Sequence, residues 1–167
     1  MFPKNTNSAK RFKIVAVKNK WHYSCYIVTL IPGIWGPYYS AVLEGYWLHE
    51  GGQSAVGSLI DHLIHSHPAF KCIQSKSKNV YQYLEQKCIE QAEKESLPSI
   101  HWLTKKLHIC PDFHGNRSPY ADSDLKGSIL GLELDKSELS LAKLYLAAIQ
   151  ALAYGTKSIG NVQLYFG

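Results

Sequence analysis

No acidic residue precedes Glu44, whereas Lys4, Lys10, Arg11, Lys13, Lys18 and Lys20 all do. That imbalance accounts for the formal charge of +5: the other 12 of the 18 basic side chains face 13 acidic ones. A basic leader on a neutral body excludes the continuous basic surface of a nucleic-acid-binding protein. The sequence also lacks a Cys-x-x-Cys pair. Its four cysteines, Cys25, Cys72, Cys88 and Cys110, are far apart, so they are expected to be reduced and mostly packed rather than joined in a framework. Long apolar runs are absent too. The stretch from Tyr26 to Trp35 is too short to cross a bilayer and is broken by Pro32 and Gly33. Residues 1–20 hold no uninterrupted apolar segment of signal-peptide type. They are faintly like a mitochondrial presequence in composition, but show no amphipathic face, so a cytoplasmic location without membrane contact is expected. Charged residues make up only 19% and aromatics 12%, which excludes disorder for most of the chain. There is no internal repeat or low-complexity segment.

What is present reads as alternating strands and helices. Short strands are expected at 12–17 and 21–30. The run Ile31-Pro-Gly-Ile-Trp-Gly-Pro-Tyr-Tyr39 cannot be helical, because Pro32 and Pro37 lack donors and fix φ. A strand over Val42–His49 leads into Glu50, and Gly51-Gly-Gln-Ser54 opens a helix. Val56, Leu59, Ile60, Leu63 and Ile64 form the apolar stripe of that helix, and Pro68 ends it. A second helix is expected over Asn79–Glu95, with Val80, Leu84, Cys88 and Ala92 on one face. Strands follow at Trp102–Ile109 and Ser128–Leu134. The final helix starts from the capping pattern Asp135-Lys-Ser-Glu138, runs apolar on nearly every face over Leu139–Ala153, and should end at Gly155.

Three stretches carry residues that suit chemistry. In Glu50-Gly-Gly-Gln-Ser54, adjacent glycines let backbone approach a ligand, amides at a helix start attract phosphate, and Glu50 can accept hydrogen bonds from a polyol. A plain strand-to-helix turn explains the same residues, and the residues alone favour it; the Gly-Lys-Ser/Thr ending of a Walker loop is missing. The loop Asp112-Phe-His-Gly-Asn-Arg-Ser-Pro119 offers Arg117 as a fork for phosphate or carboxylate and Asn116 for a hydroxyl. It also reads as an ordinary surface loop. The aromatics of Ile31–Tyr39 can stack on a sugar, although core packing is the more economical use of Trp35 and Tyr38. His62, His65 and His67 do not share one helix face and read as a solvated helix end rather than a metal site. Lys105-Lys106 is an isolated pair.

Taken together, the segments are familiar. Gly33-Ile-Trp-Gly-Pro-Tyr38, Gly45-Tyr-Trp-Leu-His-Glu-Gly-Gly-Gln-Ser-Ala55, Pro111-Asp-Phe-His-Gly-Asn-Arg-Ser-Pro119, Leu125-Lys-Gly-Ser-Ile-Leu-Gly-Leu132 and the helix Leu144–Thr156 resemble, in this order, the FGGY carbohydrate kinases, in their ribulokinase-like branch. The resemblance implies an α/β fold: part of an actin-like ATPase (ribonuclease H-like) domain, the first half of the family's C-terminal domain. It implies ATP and Mg²⁺ as cofactors and phosphoryl transfer to a hydroxyl of a pentulose such as ribulose. By resemblance Glu50 contacts the sugar, Gly51, Gly52 and Gln53 lie near the nucleotide phosphates, and Asn116 and Arg117 lie near the cleft. Residues 31–156 carry the match, 1–30 form the unmatched leader and 157–167 a divergent tail. The family's N-terminal domain, its catalytic Asp and its adenosine motif are not found in these 167 residues. The chain is therefore expected to be inactive alone, either borrowing an N-terminal kinase half from a partner or serving as a non-catalytic sugar- or nucleotide-binding fragment or decayed copy.

Overall fold

The structure is a computed structural model that describes residues 30–166, with side chains through 161. Apart from Leu30, the expected strands at 12–17 and 21–30 lie outside the described residues, as do Cys25 and the leader.

The first unit is an antiparallel hairpin of β1 (Trp35–Tyr39) and β2 (Trp47–Glu50), paired Trp35 to Glu50, Tyr38 to Leu48 and Tyr39 to Trp47. The register shifts between Trp35 and Tyr38. Pro37 sits in this irregularity after a cis bond from Gly36, where its missing N–H breaks no ladder bond. The strand expected from Val42 begins only at Trp47. Residues 40–46 form a loop instead, closed by Ser40 N–H donating to the Tyr46 carbonyl (2.8 Å) and Gly45 N–H to Ser40 Oγ (2.9 Å). Val42 and Leu43 are apolar but exposed there.

Helix α1 (Val56–Ser66) buries Leu59, Leu63 and Ile64, the stripe expected from the sequence. It starts later than expected, at Val56 after Ala55 in a left-handed conformation, so Gly51 and Gly52 precede the helix rather than forming its first turn. Past Pro68 lies a short helix, α2 (Phe70–Lys76), that the turn signals concealed; its Ile73 is fully buried. Helix α3 (Val80–Lys94) matches expectation closely. Asn79 caps it by accepting from the Gln82 amide at 3.2 Å, and Leu84, Cys88 and Ala92 are buried.

Trp102–Ile109 is not one strand. Residues Ile100–Thr104 wind into a 3-10 turn capped by Ser99, and only His108–Cys110 forms a strand, β3. Ile100 and Leu103 pack against the core while Trp102 faces solvent; this is the three-residue period of a 3-10 helix inside a composition that reads as β. Strand β4 (Ser128–Leu130) pairs antiparallel with β3, shorter than the expected 128–134.

Helix α4 (Glu138–Phe166) is the spine of the molecule. Its cap is Ser137, whose Oγ accepts from the Ser140 amide at 3.1 Å; Asp135 acts one step back, accepting from the Ser137 amide and hydroxyl at 2.8 Å each. Gly155 does not end the helix. A Cβ there would lie 2.7 Å from Gln53 Oε1, so the glycine is a point of close approach, and the helix continues through the expected tail. Three apolar clusters form along α4. Leu141, Ala142 and Leu146 pack with Ile73, Leu84 and Cys88. Leu144, Ala148 and Leu152 pack with Leu59 and Leu63, with Ile109, Phe113 and Ile129 against them. Ile159 closes on Ile31 and Ile34.

Among the described residues Cys72, Cys88 and Cys110 are free, as expected, but Cys72 and Cys110 are exposed and of these three only Cys88 is packed; burial pushes the Cys88 thiol up to about 11. No helix of the described residues is long and apolar enough to cross a membrane.

The start of α4 is also tied by charge. Glu138 accepts from Lys76 Nζ at 2.5 Å and from the Tyr83 hydroxyl at 2.7 Å. These donors hold its carboxyl at about 2, below the ordinary 4.5. A carboxylate depressed in the folded state stabilises above its unfolded value and loses that contribution as pH falls through the folded one. Glu138→Gln is therefore expected to lower the melting temperature by a few degrees at pH 7. The gap to the wild type should close between pH 4.5 and 2, as followed by thermal melts across that range.

Candidate functional site

The segments singled out in the sequence meet at one end of α4. Ser118, 3% exposed, joins them: its hydroxyl donates to the Gly33 carbonyl (2.8 Å) and accepts from the Gly52 amide (3.3 Å). Gly33 comes so close that a Cβ on it would lie 1.7 Å from the Pro119 carbonyl oxygen. The 31–36 turn, the glycine pair and the 116–119 loop thus form one block, although they are distant in sequence.

Gly51 is buried against Ile34 and Ile159, where a Cβ would lie 3.1 and 2.5 Å from their side chains. Gly52 is more open, with the Arg117 stem the nearest group. Gln53 turns away from the loop: its Nε2 donates to the Leu152 carbonyl and to Thr156 Oγ1, both at 2.7 Å. Gln53 is therefore the rivet between the loop and α4. Asn116 is likewise committed, donating to Asp112 Oδ1 (3.0 Å) and accepting from the Tyr120 amide (3.0 Å), which fixes the shape of its loop. Gln53, Asp112, Asn116, Arg117 and Tyr120 line a cavity of about 130 Å³. Glu50 does not line it. A larger cavity of about 450 Å³ lies between the 3-10 turn, β4 and the start of α4, and none of these motif residues lines it.

Glu50 stands apart in a second way. Half-buried at the end of β2, its carboxylate has no hydrogen bond or ion pair to any described residue. On either side of the Glu50–Gly52 segment, His49 Nδ1 and Gln53 Oε1 are buried without partners among the described residues. Burial lowers the His49 pKa, which keeps that ring neutral at pH 7. Unpaired buried groups cost free energy; these two lie in the residues that flank the Glu50–Gly52 segment in sequence, with Gln53 Oε1 beside Gly155 of α4.

Trp35 does not pack in the core as the composition suggested. It is 39% exposed, and Tyr38 46%. Directly opposite Glu50 in the hairpin, Trp35 shares that residue's face of the ribbon. The Arg117 guanidinium lies over its ring, 4.4 Å from the centroid. Arg117 thus lies beside Gly52 with its stem and over the indole with its head. Sequence reasoning gave Ser118 no role, because nothing local marks a Ser before a Pro as buried. For Trp35, the flanking Gly and Pro residues were a usable signal against a core position.

Compared with known proteins, residues 26–163 match the model of the FGGY family of carbohydrate kinases, C-terminal domain. The chain belongs to the FGGY family of carbohydrate kinases. It is 50% identical over 133 residues to an FGGY carbohydrate kinase domain-containing protein of Xenopus laevis, covering 77% of this chain and 24% of that one. It is 38% identical over 141 residues to a D-ribulokinase of Saccharomyces cerevisiae, covering 82% and 20%. To Ribulokinase 2 of Staphylococcus saprophyticus it is 31% identical over 140 residues, covering 82% and 23%. The chain thus spans about a quarter of the length of these relatives. As an FGGY C-terminal domain it is part of the actin-like ATPase fold, and the mixed helices and strands described above are a partial domain of it.

Proposed function

We propose that this FGGY segment forms the C-terminal-domain wall of a pentulose kinase site, with Glu50 as the sugar contact. The observation that carries the reading is the half-buried Glu50 carboxylate, without a partner among the described residues, next to a glycine pair that Ser118 and Gln53 fix in place. A carboxylate held this way accepts hydrogen bonds from vicinal hydroxyls without first breaking a protein contact. Relatives named as ribulokinases support ribulose-like ketoses as the substrate class. ATP supplies the phosphoryl group transferred to a hydroxyl of that sugar, with a divalent metal, as in the family generally.

The phosphate side is less developed than the sugar side. Gly52 has room for a close approach, but its amide is donated to Ser118, and Gln53 spends its amide hydrogens on α4. In this reading Gly51, Gly52 and Gln53 border the phosphates as a smooth backbone strip rather than as donors, and Arg117 is the nearest cation. Among the described residues no group of three His, Cys, Asp or Glu side chains could hold a metal ion, so no step is assigned to a metal here. The catalytic base and first phosphate loop implied by the family resemblance are not among these residues. The expected activity of the 167 residues is thus pentulose binding, with turnover requiring an N-terminal kinase half.

Calorimetry of D-ribulose against the purified chain tests the reading. Heat is expected for wild type and at least tenfold weaker binding for Glu50→Ala, the loss of about one to two charge-assisted hydrogen bonds. Equal affinity of the two proteins would remove Glu50 from the sugar site.

A further inference from the structure

Trp35 is a large indole left partly exposed directly opposite Glu50, whose half-buried carboxylate has no partner among the described residues. Three independent features put it there: the strand register that sets it opposite Glu50, its exposure, and the guanidinium over its ring. The exposed part of the indole gains nothing from burial, yet Arg117 holds the ring by a cation–π contact. With the guanidinium on one face, the other face and the ring edge are what the partly exposed indole has to offer a ligand. A carboxylate that takes hydroxyls and an indole face that takes C–H groups are the complementary halves of a carbohydrate site, because a sugar presents both.

We propose that Trp35 is a specificity-determining residue of this site, a stacking platform for the C–H face of the ketose whose hydroxyls bond to Glu50, and that Arg117 is the positioning residue that orients the indole. The platform selects for a sugar that can lay consecutive C–H groups on the ring while keeping its hydroxyls toward β2. Arg117 acts through Trp35 and does not touch the sugar. This inference rests on the sugar-site reading above and adds the apolar half of recognition to it.

The test uses the full 167-residue chain with D-ribulose as the probe. Trp35→Leu keeps an apolar side chain but no aromatic face, and is expected to weaken binding about tenfold. Trp35→Phe keeps a face and should stay within about threefold of wild type. Because Trp35→Leu can disturb the hairpin, the indole N–H resonance of Trp35 in the wild-type chain, identified by its loss in Trp35→Phe, supplies a second readout. It is expected to shift on titration with D-ribulose, and its position in the sugar-free chain should change in Arg117→Met, which removes the charge and keeps the stem. Wild-type affinity in a folded Trp35→Leu, or an unmoved indole resonance at saturating sugar, overturns the platform and leaves the Glu50 site standing. No binding of D-ribulose to the wild type overturns both.

Discussion

Gly33→Ala is expected to lower the melting temperature by about 10 °C, and Gly45→Ala by only about 3 °C, although the two glycines share the same φ. Both have φ of +77°, so both substitutions incur the left-handed penalty of about 1 kcal/mol for a residue with a Cβ. The difference lies in what the methyl group meets. At Gly45 there is nothing within 4 Å; at Gly33 the Pro119 carbonyl oxygen lies 1.7 Å away. That contact is with backbone and cannot be relieved by a rotamer change, so the two loops must part and Ser118 loses the Gly33 carbonyl. Separation of this kind costs about 3 kcal/mol in total, which for a domain of this size is about 10 °C. Thermal melts of the two variants side by side measure the loop contact itself. Equal losses would mean that the 31–36 and 116–119 segments do not touch.

Leu84→Ala is expected to lower stability by about 3 kcal/mol, again about 10 °C, but with a different functional consequence. Leu84 is fully buried between α3 and α4, in the cluster that includes Ile73, Cys88 and Leu141. Truncation removes apolar area from water and leaves a cavity that rigid helix packing fills only in part. That cluster does not include Ile31, Ile34 or Ile159, which underlie the loops. Binding of D-ribulose measured well below the new melting point should therefore be unchanged in Leu84→Ala. Weakened binding there would show that the helical body and the site do not behave as separable units.

Legibility in the sequence followed the range of the interactions. Helix α3 was readable to within a residue at each end, because its cap at Asn79 and its Leu84–Cys88–Ala92 stripe are local patterns. The long stripe of α4 was readable too, yet its end was not: Gly155 carries the usual signal for a stop, and only contact with Gln53 explains its presence inside the helix. The 3-10 turn at Ile100–Thr104 was hidden by a β-rich composition, since a five-residue element offers too little period to outvote propensity. The candidate site was legible as three separate stretches and as a resemblance, but not as an arrangement. That Trp35 faces Glu50 depends on a strand register set across an irregularity. That Gln53 donates to α4 depends on a partner 99 residues away. No local pattern encodes either.

The Ser118 hydroxyl links residues 85 and 66 positions earlier in the chain, and this has a consequence for the order of folding. Helices α1, α3 and α4 can form from neighbours in sequence, but the loop block can close only after the whole span between Gly33 and Ser118 has been drawn together. During synthesis, the β1–β2 hairpin emerges before the 116–119 loop and the far end of α4 that hold it, and waits for them unsupported. The block around Glu50 and the glycine pair is accordingly completed last, and is the first to be lost when folding is incomplete.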